Sequence, residues 1–363
     1  MIKLPKSLNV LYHDEVVGTL SMAPDGRTCV FQYSQKWLVE GFSVSPLELP
    51  LKEGLMVPKT NYFYGNFGIF EDSMPDGYGN YLLNKLLEKY GLSLIGMTPV
   101  ERLSLIGSRG MGALVYYPEA AVNTKSERTT LDRIQQDALD VLSEKDFSSA
   151  ETLYIMSGNS GGCRPKCLWK DDDGSWLVKF RHQYDPIDMG KREYEILQKA
   201  RLCGITTPDC KLFEGKYLGT RRFDLAQDGT RLHTATAAAL MGESIRLPMM
   251  DYRKLIRFTA YLTKDMAQAR EMFRRMIFNY EVGNNDDHAK NFSFIYDGAG
   301  WIISPAYDIT ECKAANHGFH ASTVNGKEAP GQDDFLAVAS DAGLTRKEAS
   351  DIIHQIRGIV NTH

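Results

Sequence analysis

The residues best equipped for chemistry sit in Asn284-Asn285-Asp286-Asp287-His288-Ala289-Lys290-Asn291, with Asp308 downstream. Asp286 and Asn291 are five residues apart. Beyond Asn291 come Phe292 to Tyr296, a turn signal Asp297-Gly298-Ala299-Gly300, and an apolar Trp301-Ile302-Ile303. Two short strands around such a turn form a β-hairpin. The turn then lies at one end, and Asn291 and Asp308 lie together at the other. Three oxygen-bearing side chains converge on one point. That set suits phosphoryl transfer: one carboxylate orients a hydroxyl, while an Asn and a second Asp hold magnesium on nucleotide phosphates. Magnesium prefers hard oxygen ligands and takes few of them from protein. Asn, Asp and Gly are also common in plain surface turns, so the loop gains meaning only with the hairpin and the second Asp.

Such chemistry needs a phosphate cradle and a cation upstream. Ser157-Gly158-Asn159-Ser160-Gly161-Gly162-Cys163-Arg164-Pro165-Lys166 offers three glycines and two cations. Backbone N–H groups of such a loop can face phosphates. Two strands follow, Cys167 to Lys170 and Trp176 to Phe180, joined by Asp171-Asp172-Asp173-Gly174. Lys179 on the second strand stands where a kinase keeps its phosphate-contacting lysine. Arg192 to Cys203 is expected to be a helix. Glu193 near its start is preferred over Glu195 as a structural ion-pair partner for Lys179. A further hairpin, Cys210–Phe213 and Tyr217–Asp224, leads to a hinge for the adenine. Helical stripes follow between Tyr252 and Tyr280, and helices at 333–342 and 346–360 close the chain.

The first fifty residues are expected to be β, with turns at His13-Asp14-Glu15 and Pro24-Asp25-Gly26. No chemistry is visible there. The glycines of Gly107-Ser108-Arg109-Gly110-Met111-Gly112 lack the basic and hydroxyl partners of a P-loop, and are taken as turn glycines. The polar stretch 119–150 is the best candidate for a boundary. The division expected is 1–145, a β-rich start then helices; 146–226, the core with the Gly-rich loop; and 227–363, mainly helical. The fold class is α+β, bilobal and protein-kinase-like.

At 363 residues the chain can bury a large core. Its net charge of −4 argues against a nonspecific grip on nucleic acid by the whole surface. The start lacks the apolar core of a cleavable signal, and no apolar run spans a bilayer. A cytoplasmic protein with no membrane partner is expected. Six cysteines without a Cys-x-x-Cys pattern do not suggest disulfides. Cys312, His317 and His320 could be imagined as zinc ligands, but scattered structural residues are the better reading.

The chain resembles the HipA family of serine/threonine kinase toxins. The resemblance rests on Asp286 to Ser293, Pro305-Ala306-Tyr307-Asp308-Ile309, the Gly-Gly-x-Arg-Pro-Lys loop at 161–166, Arg222-Phe223-Asp224, and Leu105 to Leu114. It spans nearly the whole chain and implies a HipA-like fold with a small N-terminal β subdomain. It implies ATP- and magnesium-dependent phosphorylation of a protein serine or threonine, an aminoacyl-tRNA synthetase in known members. It implies restraint by a helix-turn-helix antitoxin, with DNA reached only through that antitoxin. Carried over by motif, Asp286 is the catalytic residue, and Asn291 and Asp308 are the magnesium ligands. Gly161, Gly162, Cys163, Arg164, Lys166, Lys179, Arg221, Phe223, His288 and Lys290 make up the ATP site. The family often autophosphorylates a serine in the Gly loop. The matching position falls near Asn159, so the flanking Ser157 and Ser160 are the candidates. Two alternatives remain open: a kinase of small molecules or lipids, and a catalytically idle, corepressor-type binding module.

Overall fold

The computed structural model describes residues 4–120, 129–158, 161–244 and 250–362. They form two compact units, Met1–Gly190 with Lys211–His233, and Lys191–Cys210 with Thr234–His363.

The first unit opens with β1 (Ser7–Tyr12), β2 (Glu15–Met22) and β3 (Cys29–Tyr33). The β1–β2 turn is made by His13 and Asp14, both at positive φ (47° and 67°), as a tight twisted hairpin requires. Helices α1 (Gln35–Glu40), α2 (Gly68–Glu71), α3 (Gly77–Glu88) and α4 (Pro99–Ile106) follow. Thr98 and Glu101 form a reciprocal capping box at the start of α4, with Pro at its first position. Strand β4 (Leu114–Tyr117) completes an antiparallel sheet in the order β3-β2-β1-β4. Phe31, Phe67, Phe70 and Tyr116 make a buried aromatic cluster beneath it. Helices α5 (Leu131–Leu142) and α6 (Ala150–Ser157) precede a second sheet. That sheet contains β5 (Lys166–Asp171), β6 (Gly174–Lys179), β7 (Cys210–Phe213) and β8 (Tyr217–Arg221), ordered β5-β6-β8-β7. The described residues of the polar stretch 119–150 lie inside this unit.

Two buried titratable groups in the first unit give its stability opposite pH slopes. Glu48 is 8% exposed. Burial pushes its carboxyl up to about 7, against the pull of the Gly68 N–H (2.9 Å) and Lys59. The folded state therefore binds more protons than the unfolded chain between the usual value and pH 7, and stability falls as pH rises through that window. Burial depresses the fully enclosed His233 to about 4, and its bond to the Val44 carbonyl only partly opposes this. Stability falls there as pH drops from the usual imidazole range through 4. Urea unfolding of Glu48→Gln is expected to show a gain of roughly 2–3 kcal/mol over wild type above pH 7. The gain should vanish below the unfolded carboxyl value.

The second unit takes α7 (Met189–Leu202) from Lys191 onward. Lys199 Nζ binds the carbonyls of Val360 and Thr362, and Arg274 reaches the Cys203 carbonyl. Strand β9 (His233–Thr236) runs into α8 (Ala237–Met241). The core is then built by α9 (Tyr252–Thr263) and α10 (Met266–Val282), whose apolar stripes bury Leu255, Phe258, Met272, Phe273 and Met276. Strands β10 (Ser293–Tyr296) and β11 (Trp301–Ile303) join β9 in the order β11-β10-β9. Helices α11 (Gln332–Val338) and α12 (Arg346–Val360) close the unit. Among the described residues, no helix is long and apolar enough to cross a membrane.

Candidate active site

Helix α10 delivers the loop. It ends at Gly283, whose left-handed φ of 73° turns the chain out of the helix. Asn284, Asn285 and Asp287 are buried, while the Asp286 side chain between them is 54% exposed. One carboxylate thus faces outward from a backbone whose neighbours are fixed inward, which is what a group meant to meet a substrate hydroxyl requires. A short 3₁₀ turn, Ala289–Asn291, follows, with His288 as its cap. His288 Nδ1 accepts from the Lys290 N–H (3.2 Å), and its Nε2 lies 3.7 Å from Asp286 Oδ1. The Asn291 amide nitrogen donates to the Asp286 carbonyl (2.7 Å), so Oδ1 is the end left to meet a cation.

The hairpin forms as its sequence requires. Phe294 pairs with Ile303 and Tyr296 with Trp301, and the Ser304 N–H reaches the Ser293 carbonyl at 2.9 Å. At the open end the Tyr307 hydroxyl bonds Ser293 Oγ (2.5 Å) and donates to the Lys290 carbonyl (2.7 Å). The residue before Asp308 is therefore tied to the residue before Asn291. Asp308 is half-buried with φ at 53°, a left-handed conformation uncommon outside glycine but tolerated by Asp and Asn. Asn291 Oδ1 and the Asp308 carboxylate are hard oxygen donors of the kind magnesium takes. Among the described residues, no group of three or more His, Cys, Asp or Glu is placed to hold a metal ion. Of the imagined zinc set, His320 is stacked on Tyr280 and bonded to Asp287.

The other sequence candidates lie in two places. In the first unit the Gly loop rests on the start of α3. The Tyr78 N–H donates to the Gly162 carbonyl (3.4 Å), and a Cβ at Gly77 would stand 2.8 Å from Cys163 Sγ. Gly162 has φ of 98°. Arg164 forms a two-point ion pair with Asp185 (2.9 and 3.2 Å). Lys166 is buried, with Nζ on the Gly161 carbonyl, and pairs across the ladder with Lys179. Trp176, Val178 and Phe180 are buried, which leaves Lys179 on the opposite face of β6. Arg221 folds over Trp176 and donates to the Asp173 carbonyl (2.6 Å). Phe223 is half-buried in the turn beyond β8. Ser157 is buried in the last turn of α6, its hydroxyl donating to the Tyr154 carbonyl (3.0 Å). Ser160 lies outside the described residues. In the second unit Glu193 is 3% exposed, whereas Glu195 sits on the surface beside Lys191.

Sequence reasoning passed over Asp287. It is fully buried, accepting from Tyr252 OH (2.8 Å), His320 Nδ1 (3.0 Å) and the Ser322 N–H (3.2 Å). The signal was present in two adjacent aspartates at the foot of a helix, since neighbours on a bent loop face opposite ways.

The α+β fold, with a helix-delivered loop leading into a hairpin, is of the protein-kinase-like class. The residues 158–363 match the HipA-like C-terminal domain and 8–117 the HipA N-terminal domain, so the chain belongs to the HipA family. It is 25% identical to Y4dM of Sinorhizobium fredii, named as a candidate kinase, over 95% of this chain and 88% of that protein. It is 22% identical to the serine/threonine-protein kinase toxin HipA of Shewanella oneidensis, over 84% of this chain and 75% of that one. The solved Shewanella oneidensis HipA, in a complex with HipB and operator DNA, shares the fold: TM-score 0.73, 20% identity, covering 97% of this chain and 88% of that chain.

Proposed function

We propose that this chain is a magnesium- and ATP-dependent protein serine/threonine kinase, the toxin of a HipA-type toxin–antitoxin module acting in the cytoplasm. The observation that carries the reading is the Tyr307 bridge, which ties the stretch before Asp308 to the stretch before Asn291 while Asp286 stands exposed between buried neighbours. Asp286 would orient the acceptor hydroxyl and receive its proton. Asn291 and Asp308 would hold magnesium, which when bound draws charge from the phosphates. Residues 161–166 and Lys179 would meet the phosphates, with Glu193 as partner to that lysine. Arg221 and Phe223 would line the adenine side, and His288 and Lys290 would complete the nucleotide site. The substrate class is protein, with an aminoacyl-tRNA synthetase the first to test. Kinship with a protein solved with HipB and operator DNA supports an antitoxin partner and DNA contact through it.

The test is intact-mass spectrometry with peptide mapping after incubation with ATP and magnesium, beside radiolabel transfer into a cell lysate. The expected result is labelled protein in the lysate, and one added phosphate on the chain itself, mapped to Ser157 or Ser160. Label entering lipid or metabolite alone would overturn the protein-kinase reading.

A further inference from the structure

The chain after Asp308 returns to the catalytic loop and is stitched to it residue by residue. The Cys312 N–H donates to the Gly283 carbonyl (3.0 Å), and Asn285 Nδ2 donates to the Lys313 carbonyl (2.8 Å). The Asn285 carbonyl accepts from Asn316 Nδ2 (2.6 Å) and the Ala321 N–H (3.0 Å). Ser322 binds Asp287 twice, from its N–H to the carboxylate (3.2 Å) and from Oγ to the main-chain carbonyl (2.5 Å). His320 lies in the middle. Its ring stacks on Tyr280 at 3.6 Å between centroids, and Nδ1 is 3.0 Å from Asp287 Oδ2. An ionised carboxylate only accepts, so Nδ1 carries the proton in this bond. Tyr252 OH, on α9, supplies the remaining donor to the same oxygen, and Asn279 donates to that hydroxyl in turn.

We infer that His320 is a positioning residue of the active site. By donating to Asp287 it fixes the backbone that aims Asp286, and it locks the 312–322 segment onto the same loop. The inference rests on the kinase reading. The lock is fully buried at Asp287 and touches neither Asn291 nor Asp308 in the bonds above, so its loss misaims Asp286 and leaves the proposed metal ligands in place.

The geometry separates this role from simple packing. An asparagine at 320 places its amide nitrogen near the position of Nδ1, whereas a glutamine places it near Nε2, away from Asp287. His320→Asn is expected to stay within about threefold of wild-type kcat. His320→Gln and His320→Ala should lose about 10- to 100-fold, with KM for ATP nearly unchanged, as a small misplacement of a reacting group costs. Hydrogen exchange supplies a readout independent of activity. In His320→Gln, peptides covering 284–291 and 312–322 should exchange faster together, while α9 and α10 keep wild-type protection. Equal behaviour of the Asn and Gln variants, or faster exchange throughout α9 and α10, would reduce His320 to a packing residue. Wild-type protein that transfers no phosphate to any acceptor would sink the kinase reading, and the exchange pattern would still decide whether the lock exists.

Discussion

Asp286→Asn is expected to lose most phosphoryl transfer while nucleotide binding survives. A positioned general base contributes about 10²- to 10⁴-fold to rate, and that is the loss expected in kcat. The change is nearly isosteric. The Asp286 main-chain carbonyl, which receives the Asn291 amide, is untouched, so Asn291 keeps its orientation. The side chain is half-exposed, so its neutralisation removes no buried charge. Titration with a fluorescent ATP analogue in magnesium, beside single-turnover transfer, checks both halves. Near-normal turnover in this variant would remove Asp286 from the chemistry.

Asp308→Asn should fail in the opposite way, at the metal. Losing an outer partner of a metal ligand typically costs about 10- to 100-fold in metal affinity, and loss of a ligand's charge should reach at least the upper end. Asparagine is the right probe because it tolerates the left-handed backbone that residue 308 adopts, with φ at 53°. Alanine would add strain and confuse the reading. Isothermal titration of nucleotide with and without magnesium is the measurement. The wild type should gain affinity with magnesium and the variant should gain little. An undiminished magnesium gain would discard Asp308 as a ligand.

The secondary structure around the site could be read in the sequence because its signals are local. A Gly-rich turn between two short apolar runs marked the hairpin, and Phe294 does pair with Ile303. Helical spacing marked α9 and α10. Helical spacing alone did not show that Glu193 is enclosed while Glu195 lies on the surface. The partners of the loop were hidden. Tyr252, His320 and Ser322 lie at separations in sequence that no periodicity connects, and their value comes from converging on one buried carboxylate, with Asn279 behind the Tyr252 hydroxyl. His288 likewise carried no sign that its ring nitrogen caps a 3₁₀ turn. Arg164 was read only for its charge, whereas the fold also gives it Asp185 as a partner.

The Gly107–Gly112 loop carries no phosphate chemistry in this reading, yet it sets a limit on how the gene can be cut. Asp224, 2% exposed, accepts from the Gly112 N–H (3.1 Å) and from Arg222. Arg231 donates to the carbonyls of Ser108, Gly110 and Gly112. These bonds join the end of the segment matched as the N-terminal domain to the stretch leaving β8, more than a hundred residues later. Splitting the chain between its two family domains would strip a buried carboxylate of one donor and a guanidinium of three acceptors at a stroke. A C-terminal piece cut free at that boundary would thus carry a buried carboxylate and a guanidinium short of partners that residues 108–112 supply.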